Sequence, residues 1–323
     1  MTTLTMRSYR GESDWRAIAD LVNACQIAEE LDEEATVCEL KLKLNAPYLD
    51  KSRDVQLWET QHKLTALALL DIPETKHDID GYLWFYIHPS MRGMGLENDI
   101  INWSEKRLSE VGRERNLPVK LRTYTRDNNT LEIGLLEKQG FVIDRYFLTM
   151  ARSLWEPIPT PEFPADFKLS HLTGEKDAQA WVEMFNESFI DHWNHHDLTV
   201  QTVRQWMKDS SYQPELDLVA IAPNGTFAAF CDCQIKAEEN AQKGTNDGWI
   251  EFLGTRRGFR QMGLGKAILL AGLHQLKAAG ADTAKLSVDA DSLTGATKLY
   301  KSVGFYPVQT WLSWAKPLFG IIG

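Results

Sequence analysis

Apolar and polar residues alternate or cluster along this chain in two rhythms, and the second half shows them most clearly. Phe167–Leu172 reads as a short strand, and Lys176 to Ser188 carries apolar residues at helical spacing. Thr199 to Met207 predicts a second helix. Leu216–Ile221 and Thr226–Ile235 predict two strands of a hairpin about Pro223-Asn224-Gly225, a sequence suited to a tight turn. A strand ending at Thr255 follows, then a helix from Gly265 to Ala279 that Gly280 stops. A strand through Leu286, a helix through Tyr300 and a closing strand from Tyr306 finish the pattern. Strands and helices interleave throughout, which predicts an α/β fold with a mixed sheet flanked by helices.

The first half repeats the order of parts. Tyr82 to Ile87 leads into His88-Pro89-Ser90-Met91-Arg92-Gly93-Met94-Gly95-Leu96-Glu97, and Asp127 to Thr130 leads into Leu135-Leu136 and Gly140-Phe141. Trp249 to Thr255 leads in the same way into Arg260-Gln261-Met262-Gly263-Leu264-Gly265, and later come Leu299-Tyr300 and Gly304-Phe305. Self-similarity over half a chain signals a duplication. Between the copies, Pro157, Pro159, Pro161 and Pro164 exclude a continuing helix or central strand and predict an extended connector. The expected division is residues 1–150, a Pro-rich linker over 151–166, and residues 167–323.

The turn after the second copy's strand is the most informative segment. Its spacing would present the backbone N–H groups of Gln261, Met262, Gly263, Leu264 and Gly265 to one concavity at the positive end of a helix, with no Cβ at Gly263 or Gly265 to hold an anion off. These residues, with Lys266 beside them, form a candidate diphosphate cradle.

Together the Arg-x-x-Gly-x-Gly turn and the later Leu-Tyr-x-x-x-Gly-Phe resemble the GNAT superfamily of acetyl-CoA-dependent N-acyltransferases, in a tandem two-domain form. The resemblance implies acetyl-CoA as acyl donor, held by Leu253, Thr255, Arg260 to Lys266 and Ser292, and a small-molecule amine as acceptor. It also implies that Tyr300 stands beside the thioester sulfur, where a phenol can protonate the departing thiolate. Glu251, a carboxylate among Trp249, Ile250, Phe252 and Leu253, is the candidate general base, with Asp247 acting through water as the alternative. A backbone N–H between Leu253 and Thr255 would meet the oxyanion. His192 and Trp193, on the segment between the first two helices of the second copy, are candidate acceptor contacts. A metal held by His192, His195 and His196 is weighed against this and set aside, since acyl transfer calls for none.

The first copy reads differently at each of these places. Glu97 stands at the position of Gly265, Leu136 at that of Tyr300 and Leu83 at that of Glu251, so residues 1–150 are expected to be non-catalytic. The competing class is a CoA-binding regulatory or assembly protein without turnover.

Composition narrows the partners. A formal net charge of −10 argues against general nucleic-acid affinity. The start of the chain lacks the apolar core of a signal peptide, and no apolar run approaches bilayer length, so a cytoplasmic protein is expected. Cys25, Cys38, Cys231 and Cys233 are too few and irregular for a disulfide framework, and the Cys231/Cys233 pair reads as two small core residues on one strand face. The acidic run Glu29–Glu34 reads as a solvated helix face, and Trp311 onward as a last strand with an apolar end. Nothing in the sequence sets the oligomeric state.

Overall fold

The computed structural model describes the chain except for residues 1–3, 30–39, 41–43, 46–48, 62, 74–76, 194–196, 209–211, 293–294 and 319–323. Cys38, His195, His196, most of the acidic run and the apolar end therefore lie outside the described residues. The chain divides into two units: residues 1–144 with 312–323, and residues 145–311.

Unit 1 contains β1 (Leu4–Ser8), α1 (Trp15–Glu29), β2 (Val55–Thr60), β3 (Lys63–Asp71), β4 (Ile79–Ile87), α2 (Leu96–Arg115), β5 (Val119–Arg126) and α3 (Thr130–Lys138). β1 to β4 pair antiparallel in sequence order, and β4 then pairs parallel with β5. Gly81 and Gly112 let α2 approach this sheet, because a Cβ on either would stand 2.7 Å from Leu108 or Val119.

Unit 2 repeats the plan. Its elements are β7 (Lys168–His171), α4 (Ala178–Phe189), α5 (Val200–Trp206), β8 (Asp217–Ile221), β9 (Phe227–Gln234), α6 (Ala237–Lys243), β10 (Asp247–Thr255), α7 (Leu264–Ala278), β11 (Thr283–Asp289) and α8 (Ala296–Ser302). β7 to β10 pair antiparallel in order, and β10 pairs parallel with β11. The Thr199 hydroxyl caps α5 by accepting the Thr202 N–H at 3.1 Å. One face of the sheet buries Leu264, Ile268, Leu269 and Leu273 of α7, at about 1.5–3 kcal/mol per fully buried large side chain. Cys231 and Cys233 lie here, both free and their sulfurs 3.5 Å apart, and Gly272 makes room for them. The other face packs Trp181, Phe185 and Phe189 of α4 against Phe230 and Phe252.

Two strands depart from the expected division. β6 (Val142–Ser153) is followed antiparallel by β11 from Phe147↔Asp289 to Ser153↔Thr283, so the strand preceding the proline-rich segment belongs to unit 2. β12 (Tyr306–Leu318) ends in unit 1, where Leu312 and Trp314 join the core and the Trp314 indole N–H donates to Thr125 Oγ1 at 2.9 Å. Hence the closing strand from Tyr306 belongs to unit 2 only as far as Trp311. Both strands follow the same Gly-Phe signal, Gly140-Phe141 and Gly304-Phe305, and alternation along a strand does not specify which sheet receives it. The segment expected as a linker is also packed: Leu154 is buried in the unit 2 core and donates its N–H to Asp282 O, while Ile158 and Phe163 rest on that core.

Candidate active site

The site of unit 2 grows from a parting of strands. β10 pairs with β11 only from Asp247↔Thr283 to Ile250↔Leu286, although β10 runs on to Thr255 and β11 to Asp289. Main-chain groups of a strand point alternately to its two neighbours, so part of the Glu251–Thr255 backbone faces an open edge. Leu253 and Thr255 lie on this edge, where an extended acyl-thioester arm could add itself to the strand and where a backbone N–H could meet an oxyanion.

At the end of β10 the chain turns through Arg257–Phe259 and enters α7 behind Gly263, whose φ of 84° favours glycine. Gln261 also has a positive φ, 65°. The backbone N–H groups of Gln261, Met262, Gly263, Leu264, Gly265 and Lys266 find no acceptor in the protein among the described residues. Six successive unpaired donors at the positive end of a 15-residue helix fit a diphosphate. Gly265 has a second reason to be glycine, since a Cβ there would stand 3.3 Å from Thr255 Oγ1. Lys266 is exposed at the rim.

Arg260 has a different task from the other turn residues. Its guanidinium donates to Asp191 Oδ2 at 2.7 Å and to Ser188 O at 2.8 Å, and its Nε to Thr255 O at 3.3 Å. Arg257 also binds Asp191, and Arg256 grips Glu187 through two bonds of 2.6 Å. The Arg260 and Arg257 hydrogen bonds hold the Asp191 carboxyl below the usual range. The arginines thus tie the turn to the C-terminal end of α4, and the anion would meet backbone N–H groups rather than the Arg260 side chain.

Tyr300 is buried on α8, its ring edge-on to Phe305 at 5.9 Å, and its hydroxyl has no hydrogen-bond partner among the described residues. Burial first, and the Cys231 thiol second, push the phenol above its ordinary value, so it keeps its proton through the neutral range. Ser292 lies in the turn between β11 and α8, where its N–H donates to Asp289 O at 3.1 Å.

Glu251 occupies a β-bulge: Ile250 pairs with Cys233 and Phe252 with Asp232, leaving Glu251 as the unpaired extra residue. Its carboxylate stands 3.4 Å from Lys236 Nζ. Asp247 instead lies at the far end of β10 and pairs with Lys285 at 3.0 Å. Unit 1 carries the same ion pair at the same place, Asp80 with Arg122 at 2.7 Å. A pair present in both copies reads as part of the scaffold.

His192 and Trp193 follow α4. The His192 ring contacts Phe189 at 5.5 Å and its Nδ1 lies 2.9 Å from Trp193 O. Trp193 rests 6.1 Å from Phe147, and the Arg145 guanidinium lies 5.1 Å over its ring. Arg145 in turn pairs with Asp289 at the end of β11 at 3.0 Å. This segment is therefore braced against β6 and the open end of β11. Among the described residues no cluster of His, Cys, Asp and Glu has the makings of a metal site.

The equivalent places in unit 1 differ in detail. The Glu97 carboxylate folds back and accepts the Gly93 N–H at 2.6 Å, so the protein's own anion sits on the turn. Leu136 is fully buried. Leu83, matched by sequence offset to Glu251, proves to be the counterpart of Ile250: β3 and β4 pair from Ala66↔Ile87 to Asp71↔Tyr82 without a shift, and Gly81 takes the place of Gly248 against the following helix. The bulge residue has no equivalent in unit 1.

Sequence reasoning missed a group beside the bulge. Asp217 and Asp232 pair across β8 and β9, both buried, on the α4 face. Their signal was available as two acidic residues within otherwise apolar strands.

The pattern of the acetyltransferase (GNAT) family matches residues 178–305. A mycothiol acetyltransferase of Thermobispora bispora is 27% identical over 219 residues, covering 68% of this chain and 70% of that protein. One from Nocardiopsis dassonvillei is 31% identical over 168 residues, 52% of this chain and 51% of that protein. Among solved structures, a GCN5-related N-acetyltransferase from Sphaerobacter thermophilus superposes with a TM-score of 0.76 at 26% identity, covering 98% of this chain and 96% of that one. A tandem GNAT protein from the clavulanic acid biosynthesis pathway gives 0.73 at 13% identity over 98% and 99% of the two chains, a likeness of fold.

Proposed function

This chain carries an acetyltransferase domain of the GNAT family over residues 178–305 and is an N-acetyltransferase that takes its acyl group from acetyl-CoA, and from that premise we propose that unit 2 alone performs the transfer, to a small primary amine. The observation that carries the proposal is the contrast between the copies. Unit 2 has an unfilled row of N–H donors, a bulged carboxylate and a buried phenol, where unit 1 has Glu97 on the turn, an unbulged strand and Leu136.

In this reading the N–H groups of Gln261 to Lys266 hold the diphosphate, and the open edge at Leu253 and Thr255 aligns the thioester arm. Glu251 takes a proton from the amine, which leaves the nitrogen lone pair free to attack the carbonyl carbon. A β10 backbone N–H stabilises the oxyanion that forms, and its collapse breaks the carbon–sulfur bond. Tyr300 gives its proton to the thiolate as the carbon–sulfur bond breaks, and the second proton shed by the acylated nitrogen restores the phenol. His192 and Trp193, braced beside the open end of β11, contact the acceptor. Direct attack in a ternary complex requires no covalent enzyme intermediate.

The acceptor is a small molecule, and the names of the relatives make the mycothiol class the first to try. Cys25, Cys231 and Cys233, none of them in a disulfide, together with no described helix long and apolar enough to cross a membrane, support a cytoplasmic setting. The test is release of free CoA from acetyl-CoA against a panel of small amines, using the intact chain. Acceleration by an amine, lost in Gly265→Glu, supports the reading. Donor binding with no accelerating amine would instead make the protein a CoA-binding regulator.

A further inference from the structure

The α4 face of the unit 2 sheet buries more negative charge than its partners can balance. Asp217 and Asp232 stand opposite each other on β8 and β9, and Asp232 also stands opposite Phe252, beside the Glu251 bulge. Carboxylates directly across an antiparallel pair have Cβ atoms about 4.5–5.5 Å apart and repel one another. Asp217 is satisfied: Trp181 Nε1 donates to its Oδ1 at 3.3 Å and the Tyr212 hydroxyl to its Oδ2 at 2.9 Å. Asp232 has no hydrogen bond or ion pair among the described residues, though only 8% of it is exposed. A buried, unpartnered carboxylate between two others is costly unless a cation meets it.

The duplication shows that the scaffold does not need these acids. In unit 1 the place of Asp232 is taken by Leu69, which pairs with Trp84, and that of Asp217 by Val55, which pairs with Leu69. Both are buried and apolar. The same sheet is therefore built with a valine and a leucine in the copy that lacks the bulge, and with two aspartates in the copy that has it.

We propose that Asp232, opposite Asp217 and beside the Glu251 bulge, holds the acceptor's amine as its ammonium ion next to the open edge of β10, so that the enzyme selects amines that arrive positively charged. The idea rests on unit 2 being the acetylating unit and adds the charge state of its acceptor. Asp232 is the binding group and Glu251 the proton acceptor: the ammonium gives one proton to Glu251, and the neutral nitrogen left behind is the nucleophile. The titratable groups acting on Asp232 are Asp217 and Glu251, with Tyr212 behind Asp217, Lys236 behind Glu251 and the Cys233 thiol next along β9. Burial, with Asp217 and Glu251 adding to it, pushes the Asp232 carboxyl well above the usual range, as expected of an acid that awaits a counter-ion.

Thermal unfolding of the full chain in methylammonium chloride, against sodium chloride at equal ionic strength, reads this site without turnover. The wild type should gain about 2 °C or more from methylammonium over sodium, and Asp232→Asn should gain nothing. Asp217→Asn, which leaves Asp232 in place, should keep part of the gain. An equal response of wild type and Asp232→Asn, or no response in either, overturns the proposal. On the first amine that the CoA-release panel returns, Asp232→Asn should raise the KM for the amine about tenfold or more, leave the KM for acetyl-CoA unchanged, and spare any amine that is neutral at the assay pH. An unchanged amine KM likewise overturns it. Should no amine be turned over by the wild type, the acetyl-transfer reading fails, while the methylammonium response still decides whether the cation site exists.

Discussion

Tyr300 carries the least ambiguous prediction at the scale of single residues. Replacing it with Phe keeps the edge-on packing against Phe305 and removes only an oxygen that has no protein partner among the described residues. Turnover should fall about 100-fold or more, with acetyl-CoA affinity unchanged, as single-turnover kinetics and direct binding can check. A fully active Tyr300→Phe enzyme would return the residue to the core. Asp217 gives a prediction in pH. Burial raises its carboxyl to about 7, while the Tyr212 and Trp181 hydrogen bonds pull the other way. An acid raised in the folded state binds more protons folded than unfolded, so its stabilising contribution is complete below the ordinary carboxylate range and is lost as pH rises toward 7. Asp217→Asn removes that loss. The difference in Tm between variant and wild type should therefore move in the variant's favour from pH 4.5 to pH 7.5, and a difference independent of pH would contradict the assignment. Leu136 and Tyr300 were legible from the sequence because each sits in a fixed frame before Gly-Phe. Glu251 was legible as a residue, but its uniqueness was not, because a one-residue bulge changes the register without leaving a mark in composition.

At the scale of elements, the turn into α7 and the turn into α2 form a controlled comparison. Both begin with an arginine whose Nε donates to the carbonyl of the strand just left, Arg260 to Thr255 and Arg92 to Ile87. That shared bond explains why an arginine opens both turns, and why its presence alone does not mark a phosphate site. The distinction lies two residues beyond each cap glycine, in Gly265 and Glu97. Glu97→Ala should cost about 0.5–1.5 kcal/mol, the net worth of an exposed hydrogen bond whose N–H water can take over. It should leave turnover unaltered, which denaturant unfolding and steady-state rates can check together. Lengths and positions of helices and strands in unit 2 follow the apolar periodicity closely, as in Val200–Trp206 behind its Thr199 cap and Leu264–Ala278 before Gly280. The short α6 was missed, because Ala237–Lys243 has no continuous apolar stripe to announce it.

For the molecule as a whole, the duplication was plain in the repeated motifs, whereas the ownership of the closing strands was not. Pairing between distant segments is decided by which sheet has a free edge and a matching apolar surface, and neither is a local property of the sequence. Trp314 and Leu312 lie in the unit 1 core, and Phe147 to Ser153 pair with β11 in unit 2. A fragment of residues 167–323 lacks β6 and should expose the edge of β11, aggregate and bind no acetyl-CoA. A fragment of residues 145–311 retains β6 from Arg145, with the whole of the stretch that pairs with β11, and the packed Leu154, Ile158 and Phe163, and should be the better-behaved of the two. Circular dichroism and sedimentation of the two fragments test this, and equal folding of both would refute the division.

One cradle is open and the other is closed by its own carboxylate. Isothermal titration of acetyl-CoA into the full chain, with Gly265→Glu as the paired variant, measures that directly. One tight site per chain is predicted, abolished in Gly265→Glu, where a carboxylate enters the row of free N–H groups and a like-charge contact near 4 Å costs about 4 kcal/mol at an effective dielectric of 20. Two equivalent sites per chain, or undiminished binding in a folded Gly265→Glu protein, would contradict it.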